Sequence, residues 1–287
     1  MGQVMFNLQK VIPMQNKKKE ILLNTYRGFK VVWEFERVYS EKSKFFEILI
    51  GNNKLLGTFL ALNEDIQSSE YDSYIFHEML VHPAMCIAKN PRRILLIGNG
   101  EGAAILEILK HSSVKEVVWV DIDRKLVEVS SKMLPYAWKG VDKRVVYIED
   151  DGYNFLKKAN LENKKFDVII LDVTRVSGTH ETKLFGKNTT RLINSVMHSG
   201  SVLITVPGIL FPDSLDKSRI NKAYSTFKYI RRLSFFMPSF LGIQRFFIAT
   251  MKNDPYSISK KIIRRKIDKL NGTLQYYDEN SHFSSMT

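Results

Sequence analysis

The chain is nearly without cysteine: Cys86 stands alone among 287 residues. One thiol cannot close an internal disulfide or build a cysteine-rich metal site, so a reducing compartment is the default. Long apolar runs are missing as well. No stretch approaches the roughly 18 apolar residues of a membrane span. The opening MGQVMFNLQK lacks the apolar core of a secretory signal, and Phe6 stands where a myristoylation signal needs serine or threonine. These absences predict a soluble, cytoplasmic protein with no membrane partner. Acidic charge is also scarce, with 30 Asp and Glu against 43 Lys and Arg, a net charge of +13. The basic clusters at Lys17–Lys19, Arg231–Arg232 and Lys260–Lys266 accompany no nucleic-acid motif. They are read as a solvated surface, and a nucleic-acid partner is not expected.

What is present suffices for a packed core: 44% hydrophobic and 11% aromatic residues. Residues 1–20 are polar and expected to be frayed. From Ile21 to Ile66 the runs GFKVVWEFERVYS, KFFEILIGN and KLLGTFLALNED read as antiparallel strands, with Gly51-Asn52-Asn53 as a turn. YIFHEMLVHPAMCI carries helical spacing, with Pro83 near its expected end. Strand and helix patterns then alternate: RRILLIG, AAILEILKH, EVVWVDID, RKLVEVSSKML, VVYIED, YNFLKKA, FDVIILDV, NTTRLINSVM, GSVLITVP. Alternation of this kind argues for βαβ units and a parallel sheet covered on both faces. The expected fold class is α/β, a Rossmann-like doubly wound sheet with a small N-terminal antiparallel β domain. The expected boundaries are 1–70 for that β domain and 71–287 for a nucleoside-binding catalytic domain.

The densest chemical signal is ILLIGNGEGAAILEIL. A strand ends in Gly98-Asn99-Gly100-Glu101-Gly102 and opens into a helix. Glycines allow a tight turn and close approach of a ligand, and a helix start offers N–H groups. An acid inside the turn suits a cation better than a pyrophosphate, so Glu101 favours an adenosyl-sulfonium over NAD. Asp121 follows Gly98 by 23 residues and can accept from ribose hydroxyls. Asp151-Gly152 can accept from an adenine amino group, and Asp172 ends the strand FDVIILD. All four acids are placed at C-terminal ends of parallel strands, where open α/β sheets bind ligands. An aspartate there can also simply cap a helix. The histidines lack metal-ligand spacing, His77 and His82 being five apart, and no metal is expected.

Along most of its length, from about Val38 to the end, the chain resembles the spermidine synthase family of polyamine aminopropyltransferases. The segment from Phe45 to Pro83 resembles that family's N-terminal hairpins and following helix. IGNGEGAAILEILKH resembles its glycine-rich GGGDGG segment, VDID and EDDGYNFL its ribose and adenine motifs, and LQYYDENSHFSSM its C-terminal ending. The resemblance implies a homodimer or homotetramer. It implies decarboxylated S-adenosylmethionine as cofactor, and aminopropyl transfer to a small amine such as putrescine. It implies that Gln67 and His77 help hold the cofactor, with Gly98, Gly100, Glu101, Gly102, Asp121, Ile122, Asp151 and Gly152. Glu101 would take the aminopropyl ammonium, and Asp172 would orient and deprotonate the attacking amine.

The departures concentrate near the acceptor. The family's DSSD segment reads Asp172-Val173-Thr174-Arg175, so its second acid is Arg175. A guanidinium repels a diammonium and can clamp a carboxylate, on an acceptor or on undecarboxylated S-adenosylmethionine. Alternatively, Arg175 faces solvent. Phe76, Phe46 and Val206-Pro207 replace a tyrosine, a glutamine and a glutamine-containing stretch. Asn99 and Ala103 replace glycines, and Glu101 replaces Asp. A methyltransferase or aminocarboxypropyl transferase on the same scaffold therefore stays open, as does a noncatalytic basic protein.

Overall fold

The computed structural model describes residues 19–26, 29–173, 187–206 and 224–287. Strands β1 (Lys19–Tyr26), β2 (Phe29–Lys42), β3 (Glu47–Asn53), β4 (Gly57–Leu62) and β5 (Asp65–Ser69) form an antiparallel sheet in that order. Side chains alternate across a strand, and this sheet is apolar on both faces. Ile48, Ile50, Leu60 and Leu62 share a cluster with Leu126, Val129 and Leu134. Trp33, Phe35, Phe59 and Ile66 form a second cluster on the other side.

A second sheet has the order β11-β12-β10-β9-β6-β7-β8. Strands β6 (Arg93–Gly98), β7 (Glu116–Asp121), β8 (Val145–Glu149), β9 (Phe166–Asp172) and β10 (Met197–Thr205) pair in parallel. The hairpin β11 (Tyr229–Met237) and β12 (Gly242–Thr250) joins antiparallel at the β10 edge. Alternate residues of β6 face opposite layers. Ile94 and Leu96 pack with α1 (Ser73–Ile87) and α2 (Ala103–Leu109). Leu95 and Ile97 pack with Phe155 and Leu156 of α4 (Gly152–Leu161) and Ile193 of α5 (Lys187–Ser195). α3 (Arg124–Met133) presents Leu126 and Val129 to the N-terminal sheet, and α6 (Lys260–Ile267) and α7 (Glu279–Ser285) close the chain. The α/β, mostly parallel, doubly wound reading stands.

Three local expectations are corrected. Gly51, Asn52 and Asn53 are the end of β3, and the turn lies three residues later, at 54–56. The Asn53 carboxamide oxygen makes that turn, accepting from the backbone N–H of Leu55 at 3.0 Å and Leu56 at 2.7 Å. Pro83 does not end α1, which runs on to Ile87 with the proline inside it. Ile75, Met79, Leu80 and Ala84 are buried in the main core, and that packing outweighs the one backbone bond a proline forfeits. The start of α2 is less open than a free helix end, because Asn99 Oδ1 already accepts from the Ala104 N–H at 3.0 Å.

Glu78 shows how the C-terminal segment is anchored. It is 1% exposed, and its carboxylate accepts from the backbone N–H groups of Gln275, Tyr276 and Tyr277 at 2.7–2.8 Å. In Glu78→Gln an amide N–H2 opposes at least one of those donors. Unfolding free energy should fall by about 2 kcal/mol, read as a lower urea midpoint at unchanged slope.

Candidate active site

The carboxyl ends of β6 and β9 lie side by side, Gly98 opposite Asp172 in the ladder. The chain leaves β6 toward β7 on one flank, while β9 lies on the other. Such a switch point opens a crevice between diverging connections. Gly98 sits at φ 83°, and a Cβ there would lie 1.9 Å from the Asp172 carbonyl oxygen. No side chain fits, so the turn stays tight against β9. The Trp119 indole N–H donates to the Gly98 carbonyl at 2.9 Å and fixes the turn from below. Gly100 is a second close approach: a Cβ there would come 2.4 Å from Leu126 Cδ2 and 3.6 Å from Asp121 Oδ2. Gly102 caps α2 in the left-handed region.

Around this turn the fold gathers His77 from α1, Glu101, Asp121 and Asp172. Asp121 is 7% exposed and accepts from the Asp123 N–H at 2.8 Å. Burial pushes its carboxyl up to about 7, and the negative charges of Asp123, Glu101 and Asp172 add to the rise against that one hydrogen bond. Asp172, half-buried at the rim, is pushed up to about 6 by burial and by Glu101, opposed by an Asn99 hydrogen bond and by His77. His77 is 2% exposed, with Nδ1 2.7 Å from the Ser73 carbonyl and Nε2 3.4 Å from Glu101 Oε1. Burial works against its charged form, but Glu101, then Asp172 and Ser73, outweigh it and raise its pKa. Burial and the charge of Glu101 raise both Asp121 and Asp172, so this rim is short of positive charge. Among the described residues, the group that can bring positive charge into this balance, when protonated, is His77.

The remaining expected positions divide. Ile122 follows Asp121 and is half-buried. Asp151 and Gly152 lie beyond β8, whose end is tied to β7 by the Asp150 N–H to the Asp121 carbonyl at 3.1 Å. Asp151 Oδ1 caps α4, accepting from Tyr153 at 2.9 Å and Asn154 at 3.1 Å. The helix-cap reading therefore holds for that oxygen. Gln67 lies in β5, its amide donating to the Asp65 carbonyl at 3.0 Å. Arg175 and Pro207 lie outside the described residues. Phe46 is core, and Phe76 packs edge-on against Phe240 and Phe246. Two residues were missed as site members. Tyr136, whose hydroxyl lies 2.9 Å from Ser68 Oγ, has its pKa raised by burial and by Glu101. Asn99 was read only as a lost glycine, although a polar side chain in a glycine turn between an acid and a histidine was the available signal.

Known proteins share this sequence pattern and fold. The spermine/spermidine synthase domain family matches residues 73–261. Polyamine aminopropyltransferase 1 of Hyperthermus butylicus is 34% identical over 252 residues, 86% of each chain. Spermine synthase of Saccharomyces cerevisiae is 32% identical over 258 residues, 86% of this chain and 84% of its own. A crystal structure of spermidine synthase in complex with the transition-state analogue AdoDATO superposes at TM-score 0.83. It is 26% identical and covers 98% of this chain and 95% of its own. The spermidine synthase of Thermotoga maritima superposes at 0.79, also at 26% identity, over 97% and 94%. The chain belongs to the spermine/spermidine synthase family and is a transferase of the aminopropyltransferase kind.

Proposed function

We propose that this chain transfers the aminopropyl group of decarboxylated S-adenosylmethionine to a small amine, with Asp172 as the base. The observation that carries the reading is the convergence of Glu101, Asp121 and Asp172 on one rim, where burial and the charge of Glu101 raise both aspartates. A nucleoside bearing a sulfonium and a terminal ammonium supplies the missing positive charge, and an added carboxylate would meet repulsion. That favours the decarboxylated form.

The residues then divide the work. Glu101 holds the ammonium tail, Asp121 accepts from the ribose hydroxyls, and Asp151 and Gly152 face the adenine. Gln67 and His77 complete the hold, with Gly98, Gly102 and Ile122 shaping the floor. A sulfonium carbon supplies an electrophile ready for direct displacement. The acceptor amine is protonated near neutral pH, with a pKa of roughly 10.4. Asp172 accepts a hydrogen bond from that nitrogen and takes its proton, directly or through water, freeing the lone pair. The rest of the acceleration is alignment of nitrogen, carbon and sulfur. Among the described residues no cluster of His, Cys, Asp and Glu could hold a metal, and no helix is long and apolar enough to cross a membrane. The same reading places the chain in the cytoplasm as a homodimer or homotetramer. It divides the chain near residue 70 into β and catalytic domains.

The test is product analysis with decarboxylated cofactor and a panel of amines. Methylthioadenosine and an elongated amine in equal amounts are expected. Adenosylhomocysteine from the intact cofactor, with no methylthioadenosine, would overturn the reading in favour of methyl transfer. Binding should also depend on pH. Asp121, Asp172 and His77 each oppose a cation when protonated, so binding expels protons. Affinity should tighten about tenfold between pH 5.5 and 7.5. Calorimetry in two buffers of different ionisation enthalpy should show proton release. Binding insensitive to pH would contradict it.

A further inference from the structure

Asn99 has more partners than a turn residue needs. It is 4% exposed and holds φ 59°, a left-handed conformation that asparagine tolerates better than most residues. Its backbone N–H donates to the Asp172 carbonyl at 2.8 Å. Its side chain is satisfied at both ends. Nδ2 donates to Asp172 Oδ2 at 2.8 Å and lies 3.1 Å from His77 Nε2, while Oδ1 accepts from Ala104. An amide nitrogen has two hydrogens, so one can go to each neighbour. In the neutral ring, with His77 Nδ1–H donating to the Ser73 carbonyl, Nε2 keeps a lone pair that accepts the second hydrogen, while in the protonated ring Nε2–H turns to Glu101 Oε1, 3.4 Å away. Ser73, His77, Asn99 and Asp172 thus form one chain of hydrogen bonds from α1 to the rim of β9. It engages Oδ2 of Asp172 and leaves Oδ1 outside the chain. A glycine, which the family pattern carries here, would serve the turn but could not make this chain.

We propose that Asn99 is a positioning residue of the reaction: its one carboxamide locks the Asp172 carboxylate and the His77 ring in a single register, so that Asp172 meets the amine with a fixed oxygen. The proposal rests on the reading of Asp172 as the base. An N–H donor favours the ionised carboxylate over the neutral acid, because the charged acceptor makes the stronger bond. It therefore works against burial and Glu101, which raise Asp172. Among the described residues, the charged and titratable groups facing Asp172 are Glu101 from the glycine turn, His77 from α1 and Asp121 from β7. None of the three donates to Oδ2 as Asn99 does.

The test follows the Asp172 carboxyl through its titration in the full-length, ligand-free protein. Isotope-edited infrared spectroscopy would read it, with Asp172→Asn identifying the band. Asn99→Gly keeps the left-handed turn and removes the carboxamide. The Asp172 midpoint should rise by about one pH unit, and the acid limb of kcat/KM should move upward with it. At pH 6, kcat should fall about tenfold, with the KM for the nucleoside changed less than about threefold. Asn99→Asp keeps an acceptor for Ala104 but sets an anion against Asp172, and should shift the midpoint further. A midpoint within about 0.3 units of wild type in both variants, or an activity loss equal at every pH, would overturn the proposal. If the wild-type chain transfers no aminopropyl group, the reading of Asp172 as base falls. Asn99 is then judged on the carboxyl titration, which needs no turnover.

Discussion

Asp172→Asn should lower kcat for aminopropyl transfer by about 10²–10⁴-fold, the usual contribution of a positioned base, and leave the nucleoside bound. The substitution keeps shape and one carbonyl oxygen, so Asn99 Nδ2 still finds an acceptor at Oδ2's place. It removes the group able to take a proton. The amine then attacks only in its rare neutral form, and the loss falls on kcat more than on KM for the nucleoside. One of the charges that raise Asp121 also disappears, so Asp121 should ionise at lower pH in this variant. Rates that recover as pH climbs toward the amine's own pKa would mark the missing base. An unchanged kcat at neutral pH would place the base elsewhere in the cavity.

The legible part of this fold was the part where periodicity and burial coincide. ILLIG, VVWV and VIIL are apolar throughout because both faces are covered. Their ends, marked by glycine or aspartate, therefore fell where the sheet rim lies. The two terminal helices were harder. α6 reads KKIIRRKI, in which Ile263 alone is fully buried, so charge hides a face one residue wide. Ser259 as its N-cap, and Asp278 with Ser281 as a capping box before α7, were the signals that sequence did offer. β5 escaped because DIQSS has one buried large apolar residue, Ile66, and is held by pairing with β4. In the site, strand ends predicted which acids would approach one another, while hydrogen bonds decided their tasks. Asp151 shows the limit: its Oδ1 serves a helix start. Asn99 shows the converse, since its partners His77 and Asp172 lie 22 and 73 residues away and no local pattern joins them.

Asp121→Asn should move binding and stability in opposite directions. In the free protein this carboxyl titrates near 7, against an unfolded value of about 3.9. Below about pH 3.9 both states hold the proton and the group has no effect. As pH rises toward 7 the unfolded chain ionises freely while the folded one resists, so stability falls, and above 7 the buried charge costs on the order of 2–4 kcal/mol. Asparagine keeps an acceptor for the Asp123 N–H and carries no charge. The ligand-free variant should therefore melt about 5 °C higher at pH 8, and its stability should be flatter between pH 5 and 8. Wild-type stability should fall across that window. Binding of the cationic nucleoside should weaken about 100-fold, since a charged acceptor for the ribose hydroxyls and part of the cation's counter-charge are both gone. The nucleoside should accordingly stabilise wild type strongly and the variant weakly, so that their melting temperatures cross as ligand is added. A variant that binds as tightly as wild type would remove Asp121 from the nucleoside site. One that melts lower at pH 8 would show that its carboxylate is not the strained group of this rim.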